Sequence, residues 1–161
     1  MSLSLRPVSP DDEGFLLRVY ASTRAEEMAL VPWNEEQKQA FVEMQFNAQK
    51  ESYAQQFPEA EYHVILHDGD PAGRLTVARS EKRILLIDIS LLPAYRNLGI
   101  GSELIRDLKA EAQRTGKPLR LDVENFNPAH RLYERLGFKK IDEAGFYLQM
   151  EWRPGERATT A

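Results

Sequence analysis

The sequence predicts an α/β protein whose strands and helices follow the order β α α β β β α β α β β. Residues 84–91 form an apolar run broken only by Asp88 and Ser90, which is typical of a strand buried on both faces. From Ile100 onward apolar side chains recur at helical spacing. Residues 62–79 instead alternate with period two, as in a hairpin. In a chain of 161 residues these three patterns indicate one mixed domain.

The N-terminal segment predicts a strand and then a capped helix. Residues 3–8 alternate around a proline that suits a strand end or edge. Ser9 is predicted as the N-cap, Pro10 as the first helical residue and Asp12 as the capping-box acid. The buried stripe of this helix is predicted to contain Phe15, Leu16, Val19 and Tyr20.

A second helix and a hairpin are predicted next. Asn34 is the predicted cap of a helix that reaches toward Phe57. Its stripe is predicted to contain Phe41, Met44, Ala48 and Ser52. Residues 62–67 and 72–79 then form the predicted hairpin, and residues 80–83 turn into the apolar strand.

The C-terminal part predicts strands around one short helix. Gly116 and Pro118 end the central helix, and Gly137 ends the short one. The remaining predicted elements are a strand at 119–123, the short helix capped by Asn127 and Pro128, strands at 138–141 and 146–152, and a turn at 143–145. Residues 154–161 predict a disordered tail, which leaves a single domain over residues 1–153.

Composition narrows the class of protein. The chain has no cysteine, which excludes disulfides, thiolate metal sites and cysteine nucleophiles, and its three scattered histidines predict no metal site. A net charge of −4 without a basic run argues against nucleic acid as a partner. No apolar segment approaches the length of a membrane span, and no signal peptide is recognisable. We therefore expect a cytoplasmic protein with no membrane partner. A homodimer is compatible with the sequence.

The turn between the apolar strand and the central helix predicts an anion site. A helix leaves its first four N–H groups unpaired, and its dipole places partial positive charge there. Gly99 and Gly101 lack the Cβ atoms that would keep a pyrophosphate from the backbone. No acidic residue lies between Pro93 and Ser102. The turn therefore predicts a phosphate-binding backbone.

Two common nucleotide motifs do not fit this turn. A Walker A loop needs Gly-Lys-Ser/Thr, but Gly101 is followed by Ser102 and Glu103. A dinucleotide fingerprint needs a third glycine at the position of Leu104. The pattern present is Arg-x-x-Gly-x-Gly, formed by Arg96, Asn97, Leu98, Gly99, Ile100 and Gly101.

With that pattern the chain resembles the GNAT superfamily of acyl-CoA-dependent N-acetyltransferases. The segment from Asn127 through Ala129, Leu132 and Tyr133 to Gly137 and Phe138 is similar to the family segment that follows the fifth strand. A common version of that segment has the asparagine where this chain has Phe126. The resemblance covers residues 84–138 and implies a central mixed sheet, splayed after the fourth strand, with helices on both faces.

The resemblance also implies a site for acetyl-CoA. Backbone groups of Ile89, Ser90 and Leu91 would pair with the pantetheine arm, and the N–H of Leu91 would stabilise the thioester oxyanion. The backbone from residue 96 to Ser102 would bind the pyrophosphate. Asn127 would also contact the cofactor. The side chain of Arg96 would either reach the phosphates or remain in solvent.

Four side chains are candidates for the chemistry of amine acetylation. The family resemblance implies that Tyr133 protonates the leaving thiolate or stabilises it by a hydrogen bond. Asp122 and Asp88 are alternative general bases, with Glu124 close behind, and each is equally well explained as a structural partner of backbone or arginine. Packing under the helix is the alternative role for Tyr133.

The acceptor of the acetyl group is less well defined. Residues 9–61 contain eleven acids and four bases, a net charge of −7, which favours a cationic amine on a small molecule or peptide. Glu27, Trp33 and Tyr53 are candidates for charge and a stacking wall. Two other interpretations stay open, a non-catalytic acyl-CoA sensor and a structural interaction domain. The sequence leaves open the acceptor, the base, the acyl preference and the oligomeric state.

Overall fold

The secondary structure follows the predicted element order. A computed structural model of the protein describes residues 2–124, 129–145 and 147–155. Its strands are β1 Leu3–Pro7, β2 Ala60–His67, β3 Asp70–Arg79, β4 Ile84–Leu91, β5 Leu119–Glu124, β6 Lys139–Ala144 and β7 Tyr147–Trp152. Its α-helices are α1 Glu13–Ala29, α2 Glu35–Gln56, α3 Ile100–Thr115 and α4 Ala129–Arg135. Short 3₁₀ turns at Pro10–Asp12 and Pro93–Tyr95 precede α1 and α3.

The strands form a mixed sheet in the order β1-β2-β3-β4-β5-β7-β6. β4 and β5 pair in parallel, whereas β1 with β2, β5 with β7, and β6 with β7 are antiparallel. This confirms the predicted mixed α/β class. No helix in the described ranges is both long enough and apolar enough to cross a membrane.

Contacts divide the chain into two compact units. The first comprises Met1–Thr76 and Asp88–Arg96, and the second comprises Val77–Ile87 and Asn97–Ala161. The boundary falls inside β3 and β4, so each of these strands contributes to both units. The prediction of a single domain over residues 1–153 stays a prediction, and most of the predicted tail lies outside the described residues.

The predicted capping residues lie at the starts of both helical segments of the first unit, but Ser9 caps the 3₁₀ turn Pro10–Asp12, and α1 itself begins at Glu13. Ser9 and Asp12 form a capping box with Pro10 in the first turn, and Asp12 also accepts two bonds from Arg6, at 2.9 and 3.0 Å. The Arg6 hydrogen bonds and the Ser9 N–H hold the pKa of Asp12 well below its usual range. Asn34 caps α2 by accepting a bond from the Gln37 N–H at 2.8 Å.

The α1–α2 pair buries a small aromatic core. The rings of Tyr20 and Phe46 lie 5.8 Å apart, and Val42 completes the cluster. The predicted stripe of α2 was therefore wrong for three residues, because Met44, Ala48 and Ser52 are exposed. The face that meets α1 is displaced around the helix by roughly one residue, or about 100°.

The second unit is built on α3 and the strands around β5. α3 buries Ile100, Leu104, Ile105, Leu108 and Ala112, in agreement with its predicted apolar face. β5 pairs with β7 from Leu119 opposite Trp152 to Glu124 opposite Tyr147. β6 extends to Ala144, three residues further than predicted, because its pairing with β7 continues to the residue before Gly145.

β4 contains one more residue than β3 between two cross-strand hydrogen bonds. The Ser80 N–H donates to the Arg83 carbonyl, and the Leu92 N–H donates to the Ala72 carbonyl. Eight steps separate Ala72 from Ser80, but nine separate Arg83 from Leu92. The extra residue indicates a β-bulge, a feature that bends a strand and is frequent beside functional sites. The parallel pairs of β4 with β5 run from Ile84 to Leu86.

Gly73 allows β3 to approach β4 closely within the first unit. A Cβ atom added at Gly73 would lie 2.1 Å from the Ser90 carbonyl oxygen and 3.0 Å from Leu91 Cα. Both atoms belong to the backbone, so no side-chain rotation can relieve the overlap. Gly73 therefore fixes the position of the β4 backbone at Ser90 and Leu91.

We expect Gly73→Ala to lower the free energy of unfolding by about 1–3 kcal/mol, the usual cost of inserting atoms into a packed core. Urea unfolding would measure the loss. Gly14→Ala is the matched control because a Cβ at Gly14 meets nothing within 4 Å, and alanine should stabilise helix α1 by about 1 kcal/mol. An unchanged unfolding midpoint in Gly73→Ala would contradict the close-approach argument.

Candidate active site

The glycine turn of the second unit presents an uncapped helix N-terminus. Asn97 and Gly99 have positive φ angles of 62° and 84°, and the Gly99 carbonyl accepts the first helical bond from Glu103 at 3.0 Å. The N-cap residue Gly99 has no side chain that could cap α3, and buried Ile100 anchors its first turn. The N–H groups of this turn are therefore available to an anion.

Open space adjoins both glycines of this turn. A Cβ atom added at Gly99 or Gly101 would meet nothing within 4 Å. Gly99 is required for its left-handed conformation, whereas Gly101 has no positive φ and keeps the space clear. Glu103 is the first acid in the helix. The residues present therefore fit a phosphate group at this end of α3.

The side chain of Arg96 binds two partners within the first unit, to which Arg96 itself belongs. Its Nε atom donates to the Leu91 carbonyl at 2.9 Å, and its Nη2 atom donates to Ser22 Oγ at 3.1 Å. These bonds join the end of β4 to helix α1. The alternative prediction that its guanidinium binds phosphate stays a prediction.

Asp88 is held in a polar network of the first unit. Arg74 Nε donates to Asp88 Oδ2, and Ser90 Oγ donates to Asp88 Oδ1 at 3.1 Å. Arg74 Nη2 also donates to Gln49 Oε1 at 2.6 Å. The Arg74 and Asp88 side chains are 11% and 18% exposed, so Asp88 is the counter-ion of a nearly buried guanidinium. Structural pairing thus accounts for the carboxylate that interrupts β4.

Asp122 lies in a different environment in the second unit. It stands on β5 opposite Gln149 of β7, and no described residue forms a salt bridge with it. Asp122 is exposed to solvent, but partial desolvation still raises the pKa of its carboxyl, and the charges of Arg83 and Arg120 oppose the shift. A carboxylate with a raised pKa is a better proton acceptor than an ordinary aspartate. The choice between Asp122 and Asp88 as the general base stays a prediction.

Tyr133 lies on α4, which packs against β5 in the same unit. Its half-buried ring makes an edge contact with Phe138, with centroids 6.0 Å apart. Gly137, with φ at 95°, ends the helix, and the Phe138 N–H donates to the Tyr133 carbonyl at 3.0 Å. The edge contact with Phe138 is made by the ring and not by the hydroxyl.

The three predicted acceptor residues do not form one cluster within the first unit. Glu27, in α1, accepts a hydrogen bond from Arg24 at 3.1 Å. Trp33 precedes α2, and its ring packs on Phe41 of that helix with the ring centroids 5.2 Å apart. Tyr53 lies near the other end of α2, roughly 27 Å along the helix axis at 1.5 Å per residue. A single small molecule cannot contact Trp33 and Tyr53 together.

Some predicted residues lie outside the described part, and others were missed. Asn127 and Phe126 are not described, nor is the side chain of Glu124. Sequence reasoning missed Gly73 and Arg74, which position the β4 backbone and Asp88. A glycine inside a predicted strand was the available signal for Gly73. Arg74 gave no such signal, because its partners are distant in sequence.

Comparison with known proteins agrees with this geometry. The profile of the Acetyltransferase (GNAT) family matches residues 21–138. The chain is 40% identical over 75 residues to streptothricin acetyltransferase of Streptomyces lavendulae, covering 44% of this chain and 40% of that protein. It is 36% identical over 58 residues to the ribosomal protein bS18-alanine N-acetyltransferase of Haemophilus influenzae, covering 35% of this chain and 40% of that protein. The matched segments thus span less than half of these relatives.

A solved structure shows the same fold. The PaiA N-acetyltransferase of Thermoplasma acidophilum, crystallised with coenzyme A, superposes with a TM-score of 0.70 at 22% identity, covering 95% of this chain and 99% of that one. The agreement extends over nearly the whole of both chains, so the two proteins share one fold. With the profile match over most of its length, the chain belongs to the GNAT family of acetyltransferases.

Proposed function

We propose that this protein transfers an acetyl group from acetyl-CoA to a primary amine by direct attack within a ternary complex. The observation that carries the proposal is the uncapped first turn of α3, where Gly99 and Gly101 face open space inside the family-matched span. Acetyl-CoA would supply the thioester, whose C–S bond breaks as the new C–N bond forms.

The chain would bind the donor with two backbone segments. N–H groups of residues 97–102 would receive the pyrophosphate, because the helix terminus combines free donors with partial positive charge. In the first unit, the backbone of Ile89–Leu91 would pair with the extended arm of the donor. Gly73 and Arg96 support this role because both contact the β4 backbone at Ser90 or Leu91.

Two side chains of the second unit would move the protons. An alkylamine with a pKa near 10.4 is neutral in only about one molecule in 2,500 at pH 7, so a base must remove its proton. Asp122, directly or through a water molecule, would accept that proton as nitrogen attacks. Tyr133 would hydrogen-bond or protonate the departing sulfur.

We expect Asp122→Asn to lower kcat by about 10²–10⁴-fold, the usual contribution of a general base. The parent should show an acidic limb in its pH–rate profile, with a midpoint above the ordinary aspartate pKa because partial desolvation raises the pKa of Asp122. That limb should disappear in the variant. A limb that persists unchanged in Asp122→Asn would assign it to another group.

The same substitution should not destabilise the fold at neutral pH. A carboxyl whose pKa is raised on folding contributes stability below its unfolded pKa, and this contribution is lost as pH rises through the folded pKa. Asparagine is neutral at every pH, so the variant does not lose this stability as pH rises. We therefore expect an unfolding midpoint at pH 7 at or above the parent's, so lost activity would reflect chemistry rather than unfolding.

The acceptor class follows from charge on the helical part of the first unit. Residues 9–61 carry a net charge of −7, and Glu26, Glu36, Glu43 and Glu51 are exposed on α1 and α2. Such a surface attracts cationic amines. The two curated relatives are named for acetylating streptothricin and an alanine of a ribosomal protein, which is consistent with an amine acceptor.

The test incubates purified protein with acetyl-CoA and a panel of amines, among them polyamines, lysine peptides, alanine-terminated peptides and streptothricin. Released thiol and acetylated amine are both quantified, because thiol release without acetylated amine is only hydrolysis. We expect equal amounts of the two products with at least one amine. Saturable binding of acetyl-CoA without turnover across the panel would favour the sensor interpretation, and absence of binding would refute the donor site.

A further inference from the structure

A cavity in the first unit lies among α1, α2 and strands β1 to β3. Its volume is about 460 Å³, within the range of small-molecule sites. An apolar and aromatic wall is formed by Val8, Leu16, Phe46, Tyr53, Ala54 and Tyr62. Tyr53 was a predicted acceptor residue, but neither Glu27 nor Trp33 lines this space. The cavity is therefore not the predicted acceptor site formed by those three residues, and its lining determines which ligand it can bind.

The charged groups around this cavity are already paired with one another. Lys50 Nζ lies 2.5 Å from Glu13 Oε1, and these two side chains are about half exposed. Arg74 is bound by Asp88 and Gln49. A charged ligand would have to compete with one of these pairs for its counter-ion, whereas a neutral ligand would disturb neither.

An ammonium group is particularly disfavoured in this cavity. Among the described lining residues Glu13 is the one carboxylate, while Lys50 and Arg74 are both cations. The cavity therefore lacks what an amine acceptor requires, and its ligand is distinct from that of the acetyl-transfer site.

The aromatic side chains that line the cavity favour an aromatic ligand. The rings of Phe46, Tyr53 and Tyr62 line the space, and aromatic pairs with edge or offset geometry gain energy beyond their buried area. Tyr62 is 38% exposed, and its phenol offers a hydrogen-bonding group to a neutral ligand. We propose that this cavity binds a neutral aromatic small molecule carrying one hydrogen-bonding group.

The test uses three probes of similar size that differ in charge: benzyl alcohol, benzylammonium and benzoate. Titrations followed by amide NMR shifts should give a dissociation constant of about 1 mM for benzyl alcohol, reasonable for a fragment of this size. The largest shifts should fall on residues lining the cavity. Each ion should bind at least about tenfold more weakly. Tighter binding of either ion, or no saturable binding of the alcohol, would overturn the proposal.

A matched pair of variants on α2 locates the site. Both Ala54 and Ala48 are exposed on this helix, but Ala54 lines the cavity and Ala48 does not. Ala54→Trp should fill the space and weaken benzyl alcohol binding at least about tenfold, and Ala48→Trp should leave it unchanged. A parental unfolding midpoint would show that both variants are folded. Equal binding by a folded Ala54→Trp and the parent would also overturn the proposal.

Discussion

Gly101→Glu should abolish the binding of coenzyme A while leaving the protein folded. A Cβ at this position meets only open space, so the substitution adds no clash within the chain. It instead places a carboxylate where the pyrophosphate is proposed to lie. Two like charges 4 Å apart repel by about 4 kcal/mol at an effective dielectric constant of 20, which corresponds to roughly a thousandfold loss of affinity. Isothermal calorimetry with coenzyme A would measure the loss.

Ala110→Glu is the matched control for this variant. It adds the same side chain to the same helix at an exposed position two turns further along. Its affinity for coenzyme A should stay within about twofold of the parent's, because charge more than about 10 Å away is largely screened at physiological salt. Unchanged affinity in a folded Gly101→Glu protein would remove the cofactor proposal, and equal losses in both variants would reduce it to a net-charge effect.

The elements that the sequence predicts best are those with strong local signals. α3 combines a helical apolar period, Gly99 before its first turn and Gly116 after its last, and the structure has a left-handed conformation at both glycines. The capping residues of the 3₁₀ turn before α1 and of α2 were likewise predicted because each bonds within three residues of itself. Such features need no knowledge of the rest of the fold.

Features that depend on distant partners could not be predicted. α2 has few apolar residues, so more than one stripe fits its pattern, and contact with Tyr20 selects Val42 and Phe46. The choice between Asp88 and Asp122 depends on Arg74, which is fourteen residues from Asp88 and pairs with it only across the strands. The local sequence pattern shows the carboxylate, but it does not show which distant residue will be its counter-ion.

The site itself was predicted unevenly for the same reason. The glycine turn is local, and its backbone conformation follows from the residues within it. The roles of Gly73 and Arg96 depend on the β4 backbone, which they approach from another strand and from a following turn. Residues that position a functional segment are often recognisable only once the segment's neighbours are known.

Tyr133→Phe should lower kcat by about 10²–10⁴-fold without a comparable change in the KM for acetyl-CoA. The substitution keeps the ring and its edge contact with Phe138, so the fold should be preserved. It removes only the hydroxyl proposed to stabilise the leaving sulfur, and an interaction made in the transition state appears in kcat. Steady-state kinetics and an unfolding curve would test both statements. Tyr147→Phe, at an exposed tyrosine of β7, is the control and should retain parental kcat.

A second acyl donor distinguishes a role at the leaving group from a general loss of activity. With reference pKa values of about 10 for tyrosine and 8.5 for a thiol, full proton transfer is uphill by roughly 2 kcal/mol, so a hydrogen bond to the thiolate already supplies part of the effect. A donor whose thiol has a lower pKa needs less of this help. Tyr133→Phe should therefore regain much of its rate with an acetyl thioester of an acidic thiol. Parental turnover with acetyl-CoA, or an equal loss with both donors, would leave Tyr133 with a packing role only.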